Sequence, residues 1–121
     1  MLPVEHLLEL DAGASNRLPF GFITIDPGGV ILAFNAFESS YSGLAAPDVL
    51  GRSFFRDVAP CTSVKEFEGR YREMVQANAT AVARFRYVFR FAGGDRLVQV
   101  SMTYVPSEQR GILIVRDLDA A

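Results

Sequence analysis

Few residue types in this chain could do chemistry, and Cys61 heads them. It is the lone cysteine and lies in Asp57-Val58-Ala59-Pro60-Cys61-Thr62, directly ahead of a helix that Ser63 is placed to cap. Unpaired amide hydrogens and the positive end of such a helix favour a thiolate. The same position suits an inert, buried cysteine that acts as a small hydrophobe. Glu38 is the second candidate. It follows Phe34-Asn35-Ala36-Phe37 on a short helix, among neighbours too apolar for a comfortable charge. A solvated surface acid is the plainer reading, because one turn of a short helix exposes about half its positions and carboxylates usually take them. His6 is a single imidazole in the N-terminal segment and cannot hold a metal by itself. Cys61 has no histidine in a credible position beside it, and the glycine pairs fall in hairpins and not in phosphate loops. Turnover chemistry is therefore not expected.

A scaffold must position these groups, and the composition allows one. The chain has 121 residues, half of them hydrophobic and 21% charged, enough for one domain with a core of its own. A formal net charge of -2 offers no field to draw it to phosphate backbones or anionic lipid, so neither nucleic acid nor membrane is an expected partner. The basic run from Arg84 to Arg90 alternates with apolar residues and reads as the wet face of a strand. One cysteine excludes an intramolecular disulfide, and the N-terminus lacks the pattern of a secretory signal, which points to a cytoplasmic home. No apolar stretch approaches the roughly 18 to 20 residues of a spanning helix.

Along the chain, Leu18 to Ile25 and Gly29 to Phe34 read as two strands joined by the Asp26-Pro27-Gly28-Gly29 turn. Asn35 can cap a short helix from Ala36 to about Tyr41 that Gly43 ends. Pro47 suits the start of another, and Ser53 to Val58 has room for one more turn before Pro60. Ser63-Val64-Lys65-Glu66 has the form of a capping box for a helix from Val64 to about Ala77, with Val64, Phe67, Tyr71, Met74 and Val75 on one face. From Thr80 to Phe91 the period changes to two. Arg96 to Val105 and Gly111 to Arg116 supply the last strands. The order predicts an α+β fold, a five-stranded antiparallel sheet with short helices inserted between strands two and three and packed on one face. Residues 1–17 form an N-terminal cap, Leu2 included, and residues 18–121 the domain.

The run from Gly51 to Thr62, followed by Glu66-Phe67, resembles the chromophore-attachment segment of the photoactive yellow protein family, a branch of the PAS superfamily. Ile31, Leu32, Asn35, Ala36, Glu38, Gly43, Phe85, Tyr87 and Phe89 also fit, so the likeness runs from about Leu18 to Val115. The resemblance implies a PAS fold and a blue-light photoreceptor with p-coumaric acid bound covalently as a thioester on Cys61. It implies that Glu38 hydrogen-bonds the phenolate and that light drives trans-to-cis isomerisation with proton transfer from Glu38. The pocket it implies draws on Ile23, Phe34, Glu38, Ser42, Leu44, Phe54, Val58, Ala59, Thr62 and Phe89. Phe34 departs from the usual tyrosine, so half of the family's anion clamp is missing. Ser42, where the family has a threonine, offers a hydroxyl that could partly replace it, and Tyr41 is a weaker candidate. Leu44 stands where the family carries a pocket-covering arginine, and Gly93 falls near a methionine that assists recovery. Mixed protonation, altered colour and slow or heterogeneous recovery are expected. The alternative is a PAS interaction module without chromophore, used to form a homodimer or to hold a noncovalent metabolite.

Overall fold

In the computed structural model, which describes residues 4–91 and 93–118, the first turn closes as a hairpin because Asp26 holds it. Its Oδ1 accepts the amides of Gly28 and Val30, both at 2.9 Å, and Gly29 takes a φ of +93°, cheap for a residue without Cβ. The flanking strands are β1, Gly21–Ile25, and β2, Ile31–Phe34. Both are shorter than the sequence reading. Leu18 and Phe20 leave the strand to pack beneath the sheet, and Val30 makes only an isolated bridge with Ser53. The remaining strands are β3, Ala81–Phe91, β4, Gly94–Val105, and β5, Arg110–Asp117. All neighbours pair antiparallel in the order β2-β1-β5-β4-β3, so the helices lie between the second and third strands in sequence.

The alternation in β3 sorts its side chains cleanly. Phe85, Tyr87, Phe89 and Phe91 turn inward, while Arg84, Arg86 and Arg90 are exposed. On the helical face, Phe54, Phe55, Phe67 and Tyr71 form a cluster with ring centroids 5.2 to 5.9 Å apart, the spacing of edge-on and tilted aromatic packing.

The helices between β2 and β3 pack on one face, as expected, and the opposite face is covered as well. Phe22, Val105, Ile112 and Ile114 form a second core on the opposite face, covered by Leu7, Leu8, Leu18 and Phe20. The cause is that β1 and the middle of β5 are apolar on both sides, as in strands buried between two layers. The covering segment comprises a 3₁₀ turn, Val4–Glu9, and a short helix α1, Ala12–Ser15, with Asp11 accepting the Ala14 amide at 2.8 Å. Leu2 of the expected cap, and residues 119–121 of the expected domain, lie outside the described residues.

The helices are α2, Ala36–Ser42, α3, Ala46–Val49, and α4, Arg70–Ala77. A π-helical turn spans Phe54–Val58, a 3₁₀ turn Pro60–Thr62, and a second π turn, Lys65–Gly69, runs into α4. The capping box at Ser63 is not formed. Its hydroxyl donates to Glu68 Oε1 at 2.9 Å, and extended Val64 takes the cap position with no side-chain bond. Phe67, Tyr71 and Met74 are buried as their spacing predicted, whereas Val64 is exposed. Among the described residues no helix is long and apolar enough to cross a membrane.

Candidate functional site

Asn35 fixes the start of α2. Its Oδ1 accepts the amides of Glu38 and Phe22, each at 3.0 Å. Its amide nitrogen donates to the carbonyls of Ser15 at 2.9 Å and Phe20 at 3.0 Å, and Asn16 Oδ1 accepts the Ala36 amide at 2.8 Å. One side chain thus binds the helix, β1 and the N-terminal segment together. Glu38, in the first turn, is 4% exposed and faces the sheet where Gly21 pairs with Val115. A Cβ at Gly21 would collide with Glu38 Oε1, so the missing side chain makes room for the carboxyl. Oε1 has no hydrogen-bond partner. Burial pushes the carboxyl up to about 8, because the charged form loses its water. At neutral pH Glu38 is mainly protonated and can donate.

The carboxyl faces a cavity of about 20 Å³ lined by Ile23, Phe34, Glu38, Ser42, Leu44, Phe54, Val58, Ala59, Phe89 and Phe91, room for about one water. Nine of the residues picked from the sequence meet there. Phe91 was not picked, although the alternation of β3 sets it on the same side as Phe89. Phe34 is buried and brings no polar atom. Ser42 donates its one hydroxyl proton to the Glu38 carbonyl at 2.8 Å and accepts the Leu44 amide at 3.2 Å, so in this arrangement the proton is committed to its own helix. Of the lining residues, Glu38 alone presents a free donor. Leu44 is 36% exposed and stands at the rim.

Cys61 and Thr62 do not line this cavity. Cys61 is half-buried against the main core, in the 3₁₀ turn and not at a helix start, which comes only at Lys65. The turn is well fastened. Tyr87 Oη donates to the Cys61 carbonyl, and the buried Thr62 donates from Oγ1 to the Ala59 carbonyl at 2.6 Å. Glu68 braces the segment from both ends, accepting from Ser63 at 2.9 Å, Arg56 at 3.2 Å and Arg72 Nε at 2.8 Å. Burial pushes the Glu68 carboxyl up, but these donors outweigh it and hold it below the usual carboxylate range. Sequence reasoning missed Glu68, whose only signal was Arg72 one turn on.

Residues 15–120 match the family described as PAS fold. Photoactive yellow protein from Rhodothalassium salexigens is 47% identical over 85 residues, which are 70% of this chain and 67% of that protein. The one from Cereibacter sphaeroides is 30% identical over 113 residues, 93% of this chain and 90% of that protein. The structure is similar to that of the photoactive yellow protein domain of the sensor histidine kinase Ppr from Rhodospirillum centenum. There the TM-score is 0.86 at 37% identity, covering 93% of this chain and 97% of that one. The chain belongs to the photoactive yellow protein family, within the PAS fold.

Proposed function

We propose that the chain is a blue-light photoreceptor that carries p-coumaric acid as a thioester on Cys61 and signals by trans–cis isomerisation with proton transfer from Glu38. One observation carries this reading: Glu38 buries a carboxyl oxygen, Oε1, without a partner at an apolar cavity, a cost that a hydrogen-bonding ligand would offset. The residue types fit such a group, and the cavity of about 20 Å³ must widen to take its ring. Apolar walls suit a conjugated ring, Glu38 suits its oxygen, and the thiol lies two residues beyond Ala59 of the lining. When bound, the group supplies absorption of visible light and a double bond that isomerises.

The chain's own residues do the rest. Glu38, neutral below about pH 8, donates its proton to a hydrogen bond with the anionic oxygen. On isomerisation Glu38 would pass that proton to the same oxygen, leaving a neutral phenol and a carboxylate whose charge burial disfavours. Asn35 bonds the Glu38 amide and the Ser15 and Phe20 carbonyls at once, so strain at the acid is passed to the N-terminal segment, the proposed responder. With Phe34 apolar and the Ser42 proton committed, Glu38 is the sole clamp. The loss of a second charge-assisted bond raises the phenol pKa by about one to two units. Mixed protonation and slow or heterogeneous recovery follow.

An absorption titration from about pH 5 to about pH 10, after mixing with activated p-coumaric acid, tests this. A visible band absent from Cys61→Ala is expected. No band in either protein would favour the interaction module, for which Phe34 is the specific argument. Amide exchange of the N-terminal segment should rise on illumination, and unchanged exchange there would remove it as the responder.

A further inference from the structure

A second polar group shares the helix of Glu38. Tyr41 lies one turn further along α2, so the two residues occupy one face. Its hydroxyl is buried and makes no well-formed hydrogen bond. Its ring packs edge-on against Phe91, with centroids 5.4 Å apart, and Arg96 lies over it with Cζ 5.5 Å from the ring centre. Arg96 in turn pairs with Asp117 at 3.5 Å.

The register explains the grouping. Glu38 reaches the sheet where Gly21 meets Val115. Asp117 is two residues past Val115 on β5, hence on the same face, and pairs with Val98, two residues past Arg96 on β4. A step of three residues along a helix, about 4.5 Å, is close to a step of two along a strand, about 6.6 Å. Tyr41 is thus offset from Glu38 on the helix by a step comparable to that of Asp117 from Val115 on the strand, and Asp117 is among the groups that act on its hydroxyl. The hydroxyl feels both acids. Burial raises its pKa most, the charge and hydrogen-bonding pull of Asp117 raise it further, Arg96 lowers it, and Glu38 raises it. The other charged pair near this end of the sheet, Arg90 and Asp95, is satisfied within itself.

We propose that Tyr41 is a positioning residue that couples Glu38 to the Arg96–Asp117 pair, its single O–H serving Asp117 while Glu38 is neutral and turning to Glu38 when that carboxyl is charged. A hydroxyl has one proton to give, so two carboxylates compete for it. When Glu38 takes it, Asp117 loses that donor and draws more strongly on Arg96, so the guanidinium moves away from the Tyr41 ring. The use of this coupling in signalling rests on the photoreceptor reading. The coupling itself needs no chromophore, so a test on the chain without one separates the two.

The experiment is a titration from about pH 5 to about pH 10 by NMR, following the Glu38 carboxyl carbon and the Arg96 side-chain nitrogen. In the wild type Arg96 should show an inflection at the Glu38 midpoint. In Tyr41→Phe, which keeps the ring and its packing, that inflection should vanish and the Glu38 midpoint should rise by about one unit, a tenfold change in ionisation. Asp117→Asn should lower the midpoint when Tyr41 is present and leave it unchanged in the Tyr41→Phe background. Two results would overturn the proposal: an Arg96 signal that ignores Glu38 in the wild type, or an equal effect of Asp117→Asn without the hydroxyl, which is direct charge repulsion.

Discussion

Glu38 makes the stability of this chain depend on pH. Its native carboxyl titrates at about 8 against an ordinary 4.5, so between those values the folded chain holds a proton that the unfolded chain has released. Stability is full at the acid end of that window, falls as pH rises by on the order of 1 kcal/mol per pH unit, and levels off above it. Glu38→Gln is neutral throughout, so its Tm should gain on the wild type steadily from about pH 5 to about pH 8; parallel curves would assign the titration to another group. Gly21→Ala tests the same contact from the strand side. A methyl there displaces the carboxyl toward water, which should cost about 1–3 kcal/mol in urea unfolding and lower the Glu38 midpoint. An unchanged midpoint would mean that the acid does not rest on β1. Cys61 stood out in the sequence because it lies in a long, specific run, and Glu38 because apolar residues surround it in the chain; the burial of Glu38 is what the structure adds. Gly21 did not stand out, since its importance comes from a side chain that approaches from another element. The committed proton of Ser42 was equally hidden, because a serine bonded back to its own helix has the same sequence as one pointing into a pocket.

At the level of elements, the segment bearing Cys61 depends on Glu68 more than on any helix cap. Three donors converge on that carboxylate, and two of them, Arg56 and Ser63, flank Cys61 in the chain. Glu68→Gln should cost about 1–3 kcal/mol and speed amide exchange between Ser53 and Ser63; exchange confined to α4 would show that the brace does not reach the turn. Since its pKa is depressed, the contribution of Glu68 is present above its unfolded value of 4.5 and lost as pH falls through the lower native one. An acid limb in the unfolding profile of the wild type, absent from Glu68→Gln, is expected. The buried face of the helix was readable, as Phe67, Tyr71 and Met74 keep a helical period through the π turn. Its start was not, because Ser63 is equally suited to cap a helix and to donate to a carboxylate. Strand β3 was plain from strict alternation. The short bounds of β1 were not, since Leu18 and Phe20 are apolar residues that serve the second core.

Across the whole molecule, class and antiparallel pairing followed from the order of elements, whereas the strand order and the covering of the far face did not. Leu7 and Leu8 show no period that marks them as a lid. Removal of residues 1–17 should bare Phe22, Val105, Ile112 and Ile114, and sedimentation should then reveal more self-association than the full chain shows. A shortened chain that stays monomeric would mean that Leu18 and Phe20 suffice to cover the patch. The N-terminal segment is in effect a ligand tied to its own receptor. A short tether holds it at an effective concentration on the order of millimolar, so any molecule that uses the same face binds only in proportion to the fraction of time the segment is off. While the segment is mostly docked, loosening it by about 1.4 kcal/mol makes such a partner appear tenfold tighter, with no atom of the face itself altered. The affinity of that surface is set by an internal competitor, and its detection threshold moves with whatever loosens the tie at Asn35.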